Sequence, residues 1–199
     1  MREQAEKIFI QEEDLLLDAF RLGMLVYRSG FRPSFIVGLW RGGSSIGIFV
    51  QECLQHLGLQ TDHISIRTSY RGMQRYAHMV DNPQSEIRVH GTQYLLEHLN
   101  ADDGLLIVDD VYSSGLSIKA VIERLSQRTK RNMPHNVRVA VPWYKPECNR
   151  TGREPEYYLH TTDKWLVLPY ELNGLSAAEI EAHKPFVKPI LDELQRYIN

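Results

Sequence analysis

The segment LLIVDDVYSSGLS, residues 105–117, constrains this chain more than any other. Leu105, Leu106, Ile107 and Val108 form an unbroken apolar run that reads as a strand buried on both faces. Such strands belong to parallel sheets covered by helices. The run delivers two adjacent carboxylates, Asp109 and Asp110, to its carboxyl end. Buried carboxylates are costly unless they face a ligand, a metal or hydrogen-bond donors. Ser113, Ser114, Gly115, Leu116 and Ser117 then open a helix. Gly115 allows a tight turn and close approach to a ligand. Unpaired N–H groups and the dipole at the helix start favour an anion. Ser113, Ser114 and Ser117 add hydroxyl donors. Acceptors followed by phosphate donors match the hydroxyls and phosphate of a phosphorylated sugar. An exposed acidic turn before an ordinary helix cap is the plain alternative; the whole strand, acidic pair, loop and helix together favour the ligand site.

The rest of the chain repeats the alternation of strand and helix. Residues 12–29 carry Leu15, Leu16, Ala19, Phe20, Leu22, Leu25 and Val26 at helical spacing, ended near Gly30 and Pro33. Residues 35–39 read as a short buried strand. Arg41, Gly42, Gly43, Ser44 and Ser45 read as a loop, and residues 46–57 as a helix. A second strand is expected over 64–68, and a long polar loop, of the kind that serves as a lid, over 70–86. Further strands are expected over 137–141, 157–160 and 165–168, with a helix over 117–125. Residues 177–198 read as helical, broken or kinked at Pro185 and Pro189. Alternating strands and helices imply an α/β fold with a mostly parallel sheet. Ligands of such folds sit beyond the carboxyl ends of the strands, where Arg41 and Asp109 fall.

Composition narrows the function. The chain has 199 residues, 23 Lys plus Arg and 25 Asp plus Glu, a formal charge of −2. That balance weighs against a protein that grips nucleic acid by bulk charge. Cys53 and Cys148 have no ligand-like spacing, which fits a reducing compartment and argues against a disulfide or zinc framework. The start is charged, and no apolar run is long enough to span a bilayer, so a cytoplasmic protein without membrane attachment is expected. The eight histidines show no metal-ligand spacing and read as surface or structural residues.

VDDVYSSGLS resembles the phosphoribosyl pyrophosphate (PRPP) signature of type I phosphoribosyltransferases, and the layout is most similar to the xanthine-guanine and hypoxanthine phosphoribosyltransferases. IVGLWRGGSSIG resembles their pyrophosphate loop, TSY the start of their mobile catalytic loop, and Lys145 with TDKWLVLPYE their purine-binding segments. These blocks run in the family's order over residues 35–171. The resemblance implies one Rossmann-like domain over residues 1–199. Its core would span about 30–145, its small hood about 1–30 and 157–171, and a C-terminal helical segment about 175–198.

The resemblance also implies roles. Asp109 and Asp110 would accept the ribose hydroxyls that also ligate magnesium, the expected cofactor, and Glu171 would lie near a second magnesium. Ser113, Ser114, Gly115, Leu116 and Ser117 would hold the 5′-phosphate, and Val111 and Tyr112 would belong to the same PRPP-binding segment. Trp40, Arg41, Gly42 and Gly43 would hold pyrophosphate, with a cis or switchable peptide between Trp40 and Arg41. Ser69 and Tyr70 would close over the sugar; Arg71 and Arg75 lie in the same loop. Lys145 would read the exocyclic oxygen of a 6-oxopurine, Trp165 would stack on the ring, and Leu166 would read its edge through the backbone. The partners would be PRPP, pyrophosphate, a purine base and its nucleoside monophosphate, with a homo-oligomer as the expected assembly.

One position departs from the pattern. Purine members usually carry aspartate where this chain has Ser113, placed to exchange a proton with the purine ring. Serine is a poor base at neutral pH. Asp163 or a water would have to substitute. Two other readings therefore stand beside the purine enzyme: a PRPP- or nucleotide-binding regulator with little turnover, and a transferase for another nucleobase.

Overall fold

The apolar runs become strands of one sheet in the computed structural model, which describes residues 6–70 and 87–198, the side chains of Tyr70 and of 194–198 excepted. The elements are β1 (Lys7–Phe9), α1 (Glu12–Arg28), β2 (Phe35–Trp40), α2 (Gly42–His56), β3 (Asp62–Tyr70), β4 (Ile87–His90), α3 (Gln93–His98), β5 (Gly104–Val108), β6 (Val111–Tyr112), α4 (Leu116–Thr129), β7 (Asn136–Tyr144), β8 (Tyr157–Thr161), β9 (Trp165–Val167), α5 (Ala177–His183) and α6 (Lys188–Ile198). They fall into two compact units, Leu15–Asp163 and a smaller one made of Met1–Asp14 with Lys164–Asn199.

In the larger unit, β2 lies between β3 and β5, and β7 follows β5. These pairs are parallel, whereas β4 runs antiparallel, on β3. Ala140 pairs with both Val108 and Tyr157, so β5 and β8 flank β7 on opposite edges. Short β6 resumes the line of β5 along β7, pairing Val111 with Trp143. Every residue of β5 is buried, as expected for a central parallel strand. Alternate positions serve the two faces. Val37, Leu39, Leu105, Ile107, Val139 and Val141 join Ile118, Val121 and Leu125 of α4 and Leu95 of α3 in the main apolar core. On the other face α2 packs on β2 and against α1, whose Phe20 carbonyl accepts from Cys53 Sγ at 3.5 Å. The chain steps one way from β2 through α2 to β3 and the other way from β5 through α4 to β7. The carboxyl ends of β2 and β5 therefore form the topological switch point of the sheet.

The smaller unit holds the parallel pair β1–β9, which sets Ile8 against Leu166. Phe9 stacks on His183 at 3.7 Å between ring centroids, and Lys7 pairs with Glu179 at 2.6 Å. Ser176 and Glu179 form a reciprocal capping box at the start of α5. Lys7 and the Ser176 N–H hold the Glu179 carboxyl down at about 2. Lys184 is buried and gives its ammonium to the carbonyls of Leu168 and Pro169 at 2.8 and 2.7 Å.

Several expectations change in detail. The helix expected from residue 46 begins at Gly42, because the first turn must lie against β5 and only glycine fits there. The antiparallel β4, the helix α3 and the two-residue β6 were not anticipated; β6 is too short to carry periodicity. The division between the two units falls after Asp14 and before Lys164. Residues 157–161 extend the main sheet through β7, and α1 from Leu15 onward buries its apolar stripe in the larger unit. The C-terminal helical stretch is two helices. Pro185 falls between them, and Pro189 sits in the first turn of α6, where a missing N–H costs nothing. Tyr70, expected to open a loop, ends β3, and residues 71–86, with Arg71 and Arg75, lie outside the described residues.

Candidate active site

The switch point gathers the two segments that the sequence singled out. β2 ends at Trp40, and the Trp40–Arg41 peptide is cis, as the resemblance implies. Gly42 and Gly43 are buried in the first turn of α2, while Trp40 and Arg41 are exposed. Gly43 has a spatial reason to be glycine. A Cβ there would stand 2.3 Å from the Val108 carbonyl oxygen, 2.8 Å from Asp109 Cα and 3.1 Å from Asp109 Oδ1. The helix start carrying Arg41 is thereby pressed onto the turn carrying the acidic pair. Gly38 does the same one layer below: its absent Cβ would meet Ser44 Cα at 2.8 Å and Gly43 O at 2.9 Å.

Asp109 leaves β5 with its N–H on the Ala140 carbonyl at 3.2 Å. Its Oδ1 accepts from the Asp110 N–H at 3.0 Å, and Asp110 Oδ1 accepts from the Val111 N–H at 2.7 Å. Enclosure pushes the Asp109 carboxyl well above the usual carboxylate range, and the neighbouring Asp110 charge raises it further. The N–H groups of Asp110 and Gly43 oppose that shift without cancelling it. The charged form of Asp109 is therefore favoured by any hydroxyl donor or cation brought against it.

The 113–117 loop turns at Gly115, whose φ of +74° lies in the left-handed region. Its absent Cβ would also fall 2.4 Å from the Tyr112 hydroxyl oxygen, so space and conformation both demand glycine. Among the described residues no side chain fully caps α4; Ser114 Oγ accepts a 3.4 Å bond from the Leu116 N–H. The loop is braced from outside: Arg150 N–H donates to Ser114 O at 3.1 Å, and Lys145 N–H to Tyr112 O at 2.8 Å. Tyr112 is fully buried, and its hydroxyl donates to Arg153 O at 2.8 Å and meets Thr151 Oγ1 at 2.9 Å.

Lys145 leaves β7 beside β6 and opens a 3₁₀ turn, Pro146–Cys148. Burial draws its ammonium below the usual lysine range, opposed by nearby Cys148 and Asp163. Asp163, considered as a stand-in base, accepts the Glu147 N–H on Oδ1 at 3.2 Å and so anchors that turn. Ser69 lies near the end of β3 and shares a 2.9 Å hydrogen bond with His90 Nε2, a histidine the sequence reading had set aside. Trp165, Leu166 and Glu171 belong to the smaller unit. Trp165 is 47% exposed, Leu166 is buried, and Glu171 Oε2 accepts the Leu168 N–H at 3.1 Å. Asp109, Asp110, Gly42, Gly43 and the 113–117 loop with Lys145 are therefore brought together on one end of one sheet. Missed from the sequence were the bracing loop 149–153 and His63. The Asn-Arg-Thr-Gly run was a legible turn signal for the first. His63 carried no local signal; it packs between Gly38 and Gly47, a juxtaposition made by tertiary structure.

A parallel sheet with phosphate-type loops at its switch point defines the class of nucleotide and sugar-phosphate α/β proteins. The sequence matches the phosphoribosyl transferase domain over residues 21–173, and the chain belongs to that family. Its fold is similar to a purine phosphoribosyltransferase from Pyrococcus horikoshii (TM-score 0.63, 21% identity, covering 85% of this chain and 97% of that one). It is also similar to a Neisseria gonorrhoeae protein solved with bound ppGpp (TM-score 0.67, 18% identity, 94% and 99%). The Helicobacter pylori xanthine-guanine-hypoxanthine phosphoribosyltransferase shares the fold at TM-score 0.61 and 16% identity, covering 90% and 100%. No functionally curated protein matches the sequence. Among the described residues, no helix is long and apolar enough to cross a membrane.

Proposed function

We propose that this chain transfers the ribose 5-phosphate group from PRPP to a ring nitrogen of a 6-oxopurine, releasing pyrophosphate. The observation that carries the reading is the seating of Gly43 on Val108 and Asp109, which sets a pyrophosphate-type loop beside a ribose-type acidic pair. In this reading the purine nitrogen forms the new bond to the anomeric carbon as the bond to the pyrophosphate oxygen breaks. Asp109 and Asp110 accept the ribose hydroxyls, and those donors oppose the upward shift of the Asp109 carboxyl. The Gly42 and Gly43 backbone with Arg41 takes the departing pyrophosphate, and the 113–117 loop fixes the 5′-phosphate. Ser69 and Tyr70 exclude water from the reacting carbon. Lys145 gives a charged donor to the exocyclic oxygen, which favours a 6-oxopurine over a 6-aminopurine. Catalysis is then mostly positioning and electrostatic stabilisation. The roles given to Trp165, Leu166 and Glu171 rest on the resemblance alone.

The donor set fits magnesium. Among the described residues no three His, Cys, Asp or Glu side chains gather into a metal cage. Two carboxylates that leave the remaining positions to water and substrate oxygens are what a small, hard cation of this kind takes. When bound, magnesium would neutralise charge on the pyrophosphate; Asp109 and Asp110 would hold it directly or through the ribose hydroxyls.

Ser113 supports a second reading, a nucleotide-binding regulator with little turnover, and so does the ppGpp held by the Neisseria structure. One assay separates them. The protein is incubated with PRPP, magnesium and a panel of nucleobases, and pyrophosphate release is followed. Release with hypoxanthine, guanine or xanthine is the expected result. Release with another base only, or PRPP binding with no release, overturns the 6-oxopurine assignment.

A further inference from the structure

We propose that Arg150 is a phosphate-binding residue of this site, supplying the positive charge that the 113–117 loop lacks. The proposal rests on the reading of that loop as the 5′-phosphate cradle.

The loop offers hydroxyls and backbone N–H groups but contains no cation, and Asp109 and Asp110 precede it. A dianionic phosphate held there has the backbone N–H groups and the helix dipole, and gains from a cation that reaches in from a neighbouring segment. The nearby cations differ in how they are engaged. Arg153 is tied to Glu156 at 2.7 Å and to Val137 O at 2.8 Å. Lys119, one turn into α4, faces Glu123 at 3.8 Å. Among the described residues, the exposed Arg150 guanidinium makes no hydrogen bond or ion pair. Its backbone N–H nevertheless donates to Ser114 O at 3.1 Å, so its Cα is held next to the loop within easy reach of an arginine side chain.

The platform is rigid for its size. Asn149 Nδ2 donates to Tyr144 Oη at 3.1 Å and to Arg153 O at 2.9 Å, while its Oδ1 accepts the Thr151 N–H and hydroxyl, both at 3.0 Å. Tyr112, which immediately precedes the phosphate loop, closes the network from below through Thr151 and Arg153. All of these bonds spare the Arg150 side chain. A network that fixes the backbone of one residue and leaves its guanidinium unengaged preorganises a charged donor, and guanidinium suits phosphate by geometry as well as charge.

The test is calorimetric binding of three probes to wild type, Arg150→Ala and Arg150→Lys. Ribose 5-phosphate carries the 5′-phosphate alone, pyrophosphate lacks it, and PRPP carries both groups. Arg150→Ala should weaken ribose 5-phosphate and PRPP about tenfold, leave pyrophosphate within twofold, and leave the melting temperature unchanged, because its backbone bond survives. Arg150→Lys should recover most of the loss. Affinities for ribose 5-phosphate and PRPP within twofold of wild type would overturn the proposal, as would an equal loss for pyrophosphate. If wild type binds neither ribose 5-phosphate nor PRPP, the reading of the loop falls and takes this proposal with it. If wild type binds both and Arg150→Ala is unchanged, only the role of Arg150 falls.

Discussion

The two helix starts at the switch point, of α2 and of α4, do the same task by different physics. Both follow a buried strand, both contain glycine, and both aim backbone N–H groups at the carboxyl end of the sheet. At α2, Gly43 is required by space alone: the Val108 carbonyl occupies the volume a side chain would need. At α4, Gly115 is required by a positive φ and by the Tyr112 ring. The α2 loop carries its own cation in Arg41, whereas the α4 loop has none and is braced by a second loop, 149–153. An anion cradle can thus be built from one continuous motif or assembled from two segments far apart in sequence. Only the first kind is fully legible in a motif.

The contrast can be broken most severely at Gly43. Gly43→Ala drives a Cβ into a strand carbonyl that cannot yield, and overpacking against fixed backbone costs about 3 kcal/mol or more. Thermal melts should show a loss of roughly 6–12 °C on the scale of about 2–4 °C per kcal/mol for a chain this long. A melting temperature equal to wild type would mean that α2 is free to slide away from β5.

Gly115→Ala should follow, at about 2–3 kcal/mol, from the left-handed backbone cost plus the contact with Tyr112. The two sites differ in what remains: Gly115→Ala should keep pyrophosphate affinity within twofold and lose ribose 5-phosphate affinity. Equal loss of both ligands in calorimetry would erase the distinction between the loops.

Asp109→Asn sharpens the comparison from the acidic side. Because the folded state holds this carboxyl above its usual value, the group favours folding only while protonated, and that contribution is lost as pH rises from the usual carboxylate range upward. At neutral pH without ligand, Asp109→Asn should therefore raise the melting temperature by about 2–4 °C, the equivalent of about 1 kcal/mol in a chain of this size. It should at the same time weaken PRPP. A lowered melting temperature in the free protein would show that Asp109 is not enclosed as described.

The smallest effect belongs to His63, beneath the α2 loop. Its Nε2 is buried without a hydrogen-bond partner among the described residues, and enclosure lowers its affinity for a proton. The unfolded chain then binds the proton more readily, so stability is intact above pH about 6.5 and declines as pH falls below it. His63→Gln should flatten that decline in melts across about pH 5–7. Identical slopes for the two proteins would remove His63 as the source.

Much of this was written in the sequence because it is local. The apolar run before Asp109 dictated a central strand, the spacing in residues 12–29 dictated α1, and Gly115 announced its turn. The cis peptide at Trp40–Arg41 was legible only through resemblance. What stayed hidden depends on which segments meet. The Gly-Gly after Arg41 reads as a loop by propensity, and becomes a helix start because β5 lies against it. The 157–161 strand joins the main sheet through an edge of β7 that no local pattern reveals.

The sequence by itself determined the elements, the acidic pair and the donors, because backbone preference and apolar periodicity act over a few residues. Tertiary structure alone decided that Gly43 abuts Asp109, that His63 lies under Gly38, and that Arg150 is fastened to Ser114. Those are contacts between residues from 25 to 66 positions apart, fixed by how strands order in a sheet.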